Sequence, residues 1–265
     1  MAGADLLPAG RAFDAIADSF DSRFEPWLSV AAQRRAVRGA LAAAFPAGSR
    51  LLEIGGGTGL DAAWLAARRR YVLLTDASPA MVREAQRKLG AGAAEILAAE
   101  QLGRLAARGE RFDGAYSNVA ALNCVADLEP VARDLAALVR PGGKAMLVLF
   151  GCFCPGEMVV ETLRGRFANV LRRLRRGDVA ASLSGRSFTV RYHRRRAVRR
   201  AFAPWFRPAG TKAIGLFVPP SAAEPWISRH PHLLGALEGA DRLAARALAP
   251  LGDHVLHIFQ RTDAP

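Results

Sequence analysis

The sequence lacks any long apolar run. Its longest, around residues 145–153, is far shorter than the roughly 20 residues that a membrane-spanning helix needs. The first twenty residues also lack the apolar core of a secretory signal peptide. We therefore expect a soluble, cytoplasmic protein without a transmembrane segment.

Cysteine is scarce as well. The three cysteines, Cys124, Cys152 and Cys154, cannot form a paired disulfide framework. Cys152 and Cys154 form a lone C-x-C without the second pair of ligands that a zinc site requires, and the five histidines have no metal-binding spacing. The sequence predicts no metal site, and the cysteines are expected to be small buried side chains.

Lysine is rare throughout, and acidic residues are almost absent from one segment. The whole sequence has 37 basic and 24 acidic residues, a net charge of +13 at pH 7. Residues 163–200 contain 13 arginines and a single acid, Asp178, so this segment carries +12 and the rest of the chain +1. The segment is either a solvated helix face or a surface for an anionic partner, such as a membrane, an acidic carrier protein or nucleic acid.

Short apolar runs alternate with helical patterns along most of the 265 residues. Strands are predicted at 50–54, 71–75, 95–98, 112–118, 144–150, 211–217 and 254–261. Helices are predicted within 12–45 and at 60–69, 79–89, 128–138, 194–202 and 232–248. This alternation predicts a Rossmann-like α/β fold with a doubly wound, mostly parallel sheet of seven strands.

The alternation is interrupted after the fifth predicted strand. Residues 157–176 are predicted to form one long basic helix, and residues 180–192 a hairpin that turns at Ser184 and Gly185. We interpret 152–190 as a basic insertion. The predicted organisation is a single domain over 1–265, with N-terminal helices at 12–45, a ligand-binding core at 50–150, the insertion at 152–190, and completion of the sheet at 191–265.

A glycine-rich loop follows the first predicted strand. It reads EIGGGTG from Glu53 to Gly59, and glycines there let the backbone turn tightly and approach a ligand. Asp76, at the end of the next strand, is placed to accept hydrogen bonds from both hydroxyls of a ribose, so a nucleoside ligand is predicted. The glycines alone do not exclude a dinucleotide, because the spacing G-x-G-x-x-A occurs from Gly57 to Ala62.

Four motifs carry a resemblance to a known family. They are LLEIGGGTG at 51–59, TDASPAMV at 75–82, FDGAYSNVAALNCV at 112–125 and LVRPGGKAMLVLF at 138–150. In order and spacing the chain resembles the class I S-adenosylmethionine-dependent methyltransferases over about residues 12–150. The Glu before the first glycine and the Pro-Gly-Gly turn are not expected in a nicotinamide dehydrogenase. A nicotinamide-dependent reductase and a non-catalytic nucleotide-binding module are the alternatives.

The resemblance implies S-adenosylmethionine as the cofactor and S-adenosylhomocysteine as the product. Asp76 would bind the ribose, Glu53 would hold the glycine loop or, through water, the methionine ammonium, and Met81 would flank the adenine. The implied cofactor-binding residues are Glu53, Gly55, Gly56, Gly57, Gly59, Asp76, Ala77, Met81, Ala99, Glu100, Ser117 and Asn118.

Two residues are predicted to act in catalysis. A sulfonium methyl group is already activated, so in-line positioning of the acceptor supplies most of the acceleration. Asn118 ends the fourth strand, where this fold presents groups to the sulfonium and the acceptor. His193, beside the insertion, is a candidate base for an oxygen acceptor of high pKa.

The acceptor is predicted from the segments around the core. In small-molecule members of the family, the N-terminal helices and an insertion after the fifth strand form a lid, which implies lids at 12–45 and 152–190 here. Aromatic residues mixed with arginines in the insertion favour a small or lipid-like acceptor that is apolar or anionic.

Other partners stay open at this stage. Helix 157–176 is a candidate to lie on an anionic membrane, and the 163–200 segment is a candidate to bind an acidic carrier protein. An RNA or DNA methyltransferase that uses the arginine-rich segment is the contrasting prediction. It is disfavoured because Asn118 is not followed by the Pro-Pro-Tyr or Pro-Pro-Phe of many nucleic-acid amino methyltransferases.

Overall fold

The computed structural model describes residues 8–183 and 185–263. The helices are α1 (Pro8–Asp14), α2 (Phe20–Phe24), α3 (Leu28–Ala44), α4 (Leu60–Ala66), α5 (Pro79–Leu89), α6 (Gly103–Ala107), α7 (Leu128–Leu138), α8 (Pro155–Leu163), α9 (Phe167–Val170), α10 (Arg195–Phe202) and α11 (Pro231–Ala244). The strands are β1 (Arg50–Ile54), β2 (Tyr71–Asp76), β3 (Ala94–Ile96), β4 (Phe112–Ser117), β5 (Val139–Phe150), β6 (Asp178–Leu183), β7 (Arg186–Arg191), β8 (Phe206–Ile214) and β9 (His254–Arg261).

The main sheet has seven strands in the order β3-β2-β1-β4-β5-β9-β8. The first five of these are parallel, whereas β9 is antiparallel to both β5 and β8. The prediction of a mostly parallel, seven-stranded Rossmann-like sheet is confirmed. The strand order reverses between β1 and β4, and crevices at the carboxyl ends of strands form at such a point.

Both faces of the sheet are covered by helices. In β1, Leu51 and Leu52 are fully buried although they point to opposite faces, which is the pattern of a central strand in a parallel sheet. Leu51 packs with side chains of α3 and α4, and Leu52 with side chains of α6, α7 and α10. No helix in the described ranges is long and apolar enough to cross a bilayer.

The N-terminal segment consists of three helices. Two carboxylates, those of Asp14 and Asp21, bind it to the core. Asp14 accepts hydrogen bonds from Ser78 Oγ at 3.0 Å and from the backbone N–H of Ala80 at 2.8 Å. Asp21 accepts from Thr58 Oγ1 at 2.6 Å and pairs with Lys88 Nζ at 2.7 Å. These contacts hold α1 and α2 against the glycine loop and α5.

The prediction of one long helix over 157–176 is wrong. Helix α8 ends at Leu163, and the chain then forms α9 and a 3₁₀ turn at Arg172–Leu174. Gly165 has a φ of +69°, a left-handed conformation that ends α-helices. A single helix along a membrane surface is therefore also excluded for this segment.

The predicted hairpin is present as β6 and β7. Its strands are antiparallel, with Val179 opposite Val190 and Leu183 opposite Arg186. Gly185 lies in the turn, whereas Ser184, the other predicted turn residue, lies outside the described residues.

The predicted strand at 211–217 is displaced toward the N-terminus. Strand β8 ends at Ile214, because the backbone N–H groups of Leu216 and Phe217 donate to the carboxylate of Asp241 in α11 instead of to a strand. Helix α11 ends at Ala244 rather than at residue 248.

A buried ion cluster joins the insertion to the sheet. The Arg173 guanidinium contacts Glu157 and donates to Asp253 Oδ1 and to the Asp253 carbonyl, both at 2.6 Å. Gln33 Nε2 donates to the second oxygen of Asp253 at 3.0 Å. Arg173, Glu157 and Asp253 are each at most 6% exposed. This cluster therefore connects α8, the 3₁₀ turn, the start of β9 and α3.

We predict that Arg173→Met lowers the free energy of unfolding by about 3–5 kcal/mol, because it leaves the buried Asp253 without its guanidinium partner and Glu157 with Arg172 alone. Urea unfolding followed by circular dichroism measures the change. Arg175→Met is the matched control, since Arg175 is exposed. It should change stability by no more than about 0.5 kcal/mol. Equal effects of the two substitutions would contradict a structural role for the cluster.

Candidate functional site

An open cavity of about 320 Å³ lies at the carboxyl ends of the central strands. Its size is in the range of small-molecule sites. The sheet side is formed by the loops after β1, β2, β3 and β4, and α1, α2 and the β6–β7 hairpin contribute to the remaining wall. Ten of the twelve predicted cofactor residues line it: Glu53, Gly55, Gly56, Gly57, Asp76, Ala77, Met81, Ala99, Glu100 and Asn118.

The glycine loop fits tightly against the loop after β4. Gly55 has a φ of +63°, and a Cβ built on it would lie 2.3 Å from the Cβ of Ala121. A Cβ on Gly56 would lie 2.5 Å from the side chain of Leu74. Side chains at these positions are thus excluded by contacts within the protein itself.

Asp76 is held in a fixed orientation at the end of β2. Its Oδ2 accepts from the N–H of Gly57 at 2.9 Å, and its Oδ1 accepts from the N–H of Ser78 at 2.8 Å. Burial raises the pKa of Asp76, and the N–H donors oppose that rise. Each carboxylate oxygen keeps a further lone pair, so two hydroxyl groups can donate to this side chain.

Glu53 is a buried carboxyl group with an unsatisfied oxygen. It is 1% exposed, and its Oε2 has no hydrogen-bond partner among the described residues. Burial raises the pKa of Glu53 well above its usual range, and the charge of Asp61 raises it further. The Tyr116 hydroxyl, itself buried without a hydrogen-bond partner among the described residues, lies beside Glu53 and opposes this rise in pKa. Because buried polar atoms are nearly always paired, the Glu53 oxygen can accept from Tyr116 or from a ligand.

Asn118 is fixed by two hydrogen bonds where β4 ends. Its Nδ2 donates to Asp61 Oδ2 at 2.7 Å, and its Oδ1 accepts from the N–H of Val119 at 2.8 Å. The next two residues have left-handed backbones, with φ of +54° at Val119 and +58° at Ala120. Non-glycine residues in this region cost about 1–3 kcal/mol each and cluster at functional sites. Val119, Ala120 and Asn118 all line the cavity.

Three predicted site residues do not line the cavity. Gly59 precedes α4 as its N-cap residue, and Ser117 is 1% exposed within β4. His193 Nε2 lies 2.9 Å from the carbonyl oxygen of Val125, and burial lowers the pKa of the imidazole. The ring is thus occupied by a backbone contact rather than directed into the cavity.

Several lining residues escaped the sequence analysis. Arg34, on α3, is one of two cations in the lining, the other being Arg172. Arg34 lies one helical turn before Arg38, whose Nε donates to Asp61 at 2.7 Å, and Arg34 Nε lies 3.9 Å from the same carboxylate. The sequence pattern does not distinguish Arg34 from the other arginines of α3. Cys124 also lines the cavity, and burial raises the pKa of its thiol to about 12, which leaves it unreactive.

The outer half of the cavity is apolar and aromatic. Phe13 and Phe20 come from the N-terminal segment, and the ring of Phe13 packs against that of Phe188 in the hairpin at a centroid distance of 5.6 Å and a tilt of 58°. Phe150 packs against Tyr192 at 5.9 Å. The cavity therefore combines a polar end at the glycine loop with an aromatic end under the hairpin.

Residues 51–143 match the family model described as "Methyltransferase domain". This range contains the glycine loop, Asp76 and Asn118, which are the groups that form the polar end of the cavity. Residues 51–143 are therefore a methyltransferase domain, as the resemblance to the class I S-adenosylmethionine-dependent methyltransferases predicts. The predicted enzyme class and cofactor are confirmed, and the nicotinamide-dependent reductase and the non-catalytic module are set aside.

Solved structures share the fold at low sequence identity. A candidate S-adenosylmethionine-dependent methyltransferase from Listeria monocytogenes is 15% identical, with a TM-score of 0.57, 85% of this chain and 96% of that chain covered. The 1,6-didemethyltoxoflavin-N1-methyltransferase of Burkholderia thailandensis, solved with 1,6-didemethyltoxoflavin and S-adenosylhomocysteine, is 19% identical, with a TM-score of 0.56 and coverages of 96% and 88%.

A third similar structure is the geranyl diphosphate C-methyltransferase of Streptomyces coelicolor, solved with Mg²⁺, geranyl diphosphate and S-adenosylhomocysteine. It is 14% identical, with a TM-score of 0.51, and the alignment covers 86% of this chain and 79% of that chain. No curated protein matches the sequence.

We predict that Glu53→Gln stabilises the free protein increasingly as the pH rises. Folding raises the pKa of Glu53, so this carboxyl group contributes most to the stability of the folded state at a pH below its pKa in the unfolded chain. That contribution to stability is lost as the pH rises through the pKa in the folded state. The glutamine variant does not have this loss. The difference in Tm between variant and wild type should therefore grow between pH 5 and pH 8.

The control for this prediction is Glu129→Gln, an exposed carboxylate on α7. Its Tm difference from wild type should be the same at both pH values. If the difference in Tm between Glu53→Gln and wild type does not change with pH, Glu53 is charged in the free protein.

Proposed function

We propose that this enzyme methylates a small, largely apolar acceptor that carries an anionic group. The observation that carries the proposal is the two-ended cavity. Its polar end has the oriented carboxylate of Asp76 and the glycine loop, and its other end has aromatic walls with the guanidinium of Arg172. An acceptor held at the aromatic end would therefore share one cavity with the cofactor.

The polar end fits S-adenosylmethionine group by group. Asp76 offers two oxygens to the ribose hydroxyls, and the apolar side chains of Met81 and Leu97 offer a surface for the adenine. The amino-acid end of the cofactor has one positive and one negative group. Arg34 offers a positive charge to the carboxylate of the cofactor, and the Oε2 of Glu53 offers an acceptor to its ammonium group.

The reaction needs positioning more than acid–base chemistry. When bound, S-adenosylmethionine would supply an activated methyl group on a sulfonium. The protein's part is to hold the acceptor atom in line with that methyl group and to exclude water. Asn118, fixed by Asp61 and the Val119 N–H, is a rigid boundary between the two ends.

No histidine is among the residues that line this cavity in the described part of the chain. His193 is bound to the Val125 carbonyl, so we do not assign it a role as a base. Asn118 is proposed to position the reacting groups rather than to transfer a proton.

The aromatic end favours a flat or chain-like apolar group. Phe13, Phe20, Phe150, Phe188 and Tyr192 surround it and come from four separate parts of the chain. Burial of an apolar acceptor against such walls is worth about 25 cal/mol per Å² removed from water. The N-terminal helices and the 152–190 insertion would thus form the lid over the acceptor.

Arg172 would recognise the anionic group. Its Nε donates to Glu157 Oε1 at 2.7 Å, which fixes the guanidinium and leaves its Nη atoms free to donate to a carboxylate or phosphate. The side chain is 38% exposed at the cavity edge. The geranyl diphosphate named for the Streptomyces coelicolor protein is one example of an apolar and anionic molecule that this fold accommodates.

A nucleic acid acceptor has less support. The aromatic end lies beneath the hairpin and the N-terminal helices, which a flipped base on a polymer would have to displace. Two of the arginines in the basic segment, Arg172 and Arg173, are used within the protein.

We expect Asp76→Ala to weaken the binding of S-adenosylhomocysteine by about 1.5–3 kcal/mol, since hydrogen bonds to a charged acceptor are lost. Isothermal titration calorimetry measures the affinity. Glu129→Ala, an exposed position on α7, should bind as the wild type does. Unchanged affinity in the Asp76 variant would contradict its proposed contact with the ribose.

We expect the purified enzyme to release S-adenosylhomocysteine with aromatic or long-chain carboxylic acids and phosphates, and not with their neutral amides. Arg172→Met should reduce kcat/KM for the anionic acceptors by roughly 10- to 150-fold, mainly through KM, because one charge-assisted contact is lost. Arg175→Met, on the same segment, is the control and should leave kcat/KM unchanged. Equal turnover of acids and amides, or equal behaviour of the two variants, would contradict the role of Arg172.

A further inference from the structure

Helix α8 has its charged residues inside and apolar residues outside. Its buried side chains are Glu157 and Glu161, whereas Val159 is 58% and Leu163 is 82% exposed. A helix on the surface of a globular protein normally shows the opposite arrangement. The exposed residues of α8 therefore need an explanation other than solubility.

The buried carboxylates of α8 both bind side chains of the segment that follows the helix. Glu157 contacts Arg172 and Arg173, and Glu161 Oε2 accepts from Asn169 Nδ2 at 2.9 Å. These contacts fix which side of the segment faces the protein. The residues that remain outside form an exposed apolar set, defined here as Val159, Leu163, Phe167, Leu171 and Leu174.

The exposed apolar set recurs every three or four residues and is highly exposed. Phe167 is 71% and Leu171 is 55% exposed, and Leu174 is 43% exposed. Val159 and Leu163 are four residues apart within α8, so their side chains lie on one side of that helix. Five exposed apolar side chains within sixteen residues of the chain, the patch, are denser than scattered surface hydrophobes.

Arginines are interspersed with the exposed apolar set. Arg164, Arg166, Arg175 and Arg176 are all exposed, and the sequence has no acidic residue from 162 to 177. Arg164 donates to the carbonyl oxygen of Glu224 at 3.3 Å. None of the four forms an ion pair with another described residue. The patch is thus both apolar and strongly cationic.

Helix α10 provides a contrast within the same basic block. Its Val198 and Phe202 are fully buried, and Arg199 and Arg200 are exposed. This is an ordinary solvated arginine face, the first of the two interpretations of the basic segment. Residues 159–176 do not fit it, because their apolar side chains face solvent.

We propose that residues 159–176 bind the surface of an anionic lipid bilayer. The exposed apolar set enters the interface, and the four arginines meet the phosphates of the headgroups while their aliphatic stems remain among apolar groups. Charge complementarity selects an anionic occupant. The combination of exposed leucine and phenylalanine side chains with arginines is the composition of segments that lie in the interface of a bilayer, which favours lipid over an acidic protein.

The proposal is independent of the acceptor, but the patch adjoins the cavity. Arg172 belongs to the same segment as the exposed apolar set and lines the cavity. A bilayer bound at 159–176 would therefore lie beside the aromatic end, from which an apolar acceptor could enter.

Vesicle co-sedimentation of the purified full chain tests the proposal. We expect binding to vesicles of phosphatidylglycerol and phosphatidylcholine, and none to phosphatidylcholine alone. Leu163→Ser/Phe167→Ser should weaken this binding at least about tenfold, because two inserted apolar side chains are lost. Arg175→Glu/Arg176→Glu should weaken it on the order of a hundredfold, because each cation near an anionic surface contributes about one kcal/mol.

Two matched controls use exposed residues elsewhere. Leu243→Ser replaces a leucine of α11 that is 90% exposed, and Arg199→Glu/Arg200→Glu makes the same charge change on α10. Leu243→Ser should bind the vesicles as the wild type does, and the α10 variant should lose far less than the variant at 175 and 176. All variants should keep the wild-type Tm and affinity for S-adenosylhomocysteine, which separates this test from that of the enzymatic function.

Three results would overturn the proposal. Absence of binding to phosphatidylglycerol vesicles at low salt would favour an acidic protein as the occupant. Equal loss in the two double-arginine variants would indicate attraction by net charge alone. Unchanged binding of Leu163→Ser/Phe167→Ser would mean that the exposed apolar set does not enter the bilayer.

Discussion

The reversal of strand order between β1 and β4 is the constraint on which the site depends. Because both strands are parallel and end at the same edge, the glycine loop and the loop after Asn118 are forced into one crevice. The two loops then approach so closely that a single methyl group on Gly55 would overlap with Ala121. Asp76 joins them from β2, where the N–H of Gly57 determines its orientation. The polar end of the cavity is therefore a direct product of topology.

The same edge carries features that oppose stability in the free protein. Glu53 is buried with an unsatisfied oxygen, and Val119 and Ala120 adopt backbone conformations that side chains disfavour. Neither feature is needed to close the sheet, since the neighbouring core side chains are fully buried and well packed. Both face the cavity. A ligand that donates to Glu53 would offset part of this cost, which is why the energetic defects and the proposed cofactor contacts occur at the same place.

The local sequence pattern predicted the central strands and their loops well. It predicted the insertion and the contribution of α3 to the site poorly. Strands such as Arg50–Ile54 are short, apolar and followed by glycines, so sequence alone identifies them, and the parallel topology then brings Asp76 and Asn118 together. The conformation of the insertion was beyond such reasoning. Its helical pattern over 157–176 is real, but Arg173 binds Asp253, 80 residues away in the chain, and no local period encodes that contact. Arg34 was missed for a similar reason, because α3 is directed to the site only by packing on the sheet.

The Arg173 cluster links the two unusual properties of the insertion. By binding Glu157, the guanidinium of Arg173 draws the carboxylate face of α8 inward, and the apolar face of the same helix must then point away from the protein. The neighbouring Arg172 is held at the cavity edge by the other oxygen of Glu157. One buried carboxylate thus positions the proposed acceptor contact and orients the exposed apolar set. If the cluster served stability alone, apolar side chains of similar volume would serve as well. The charged cluster orients both the Arg172 guanidinium at the cavity edge and the exposed apolar set. This double role explains why charged side chains occupy the buried side of the segment.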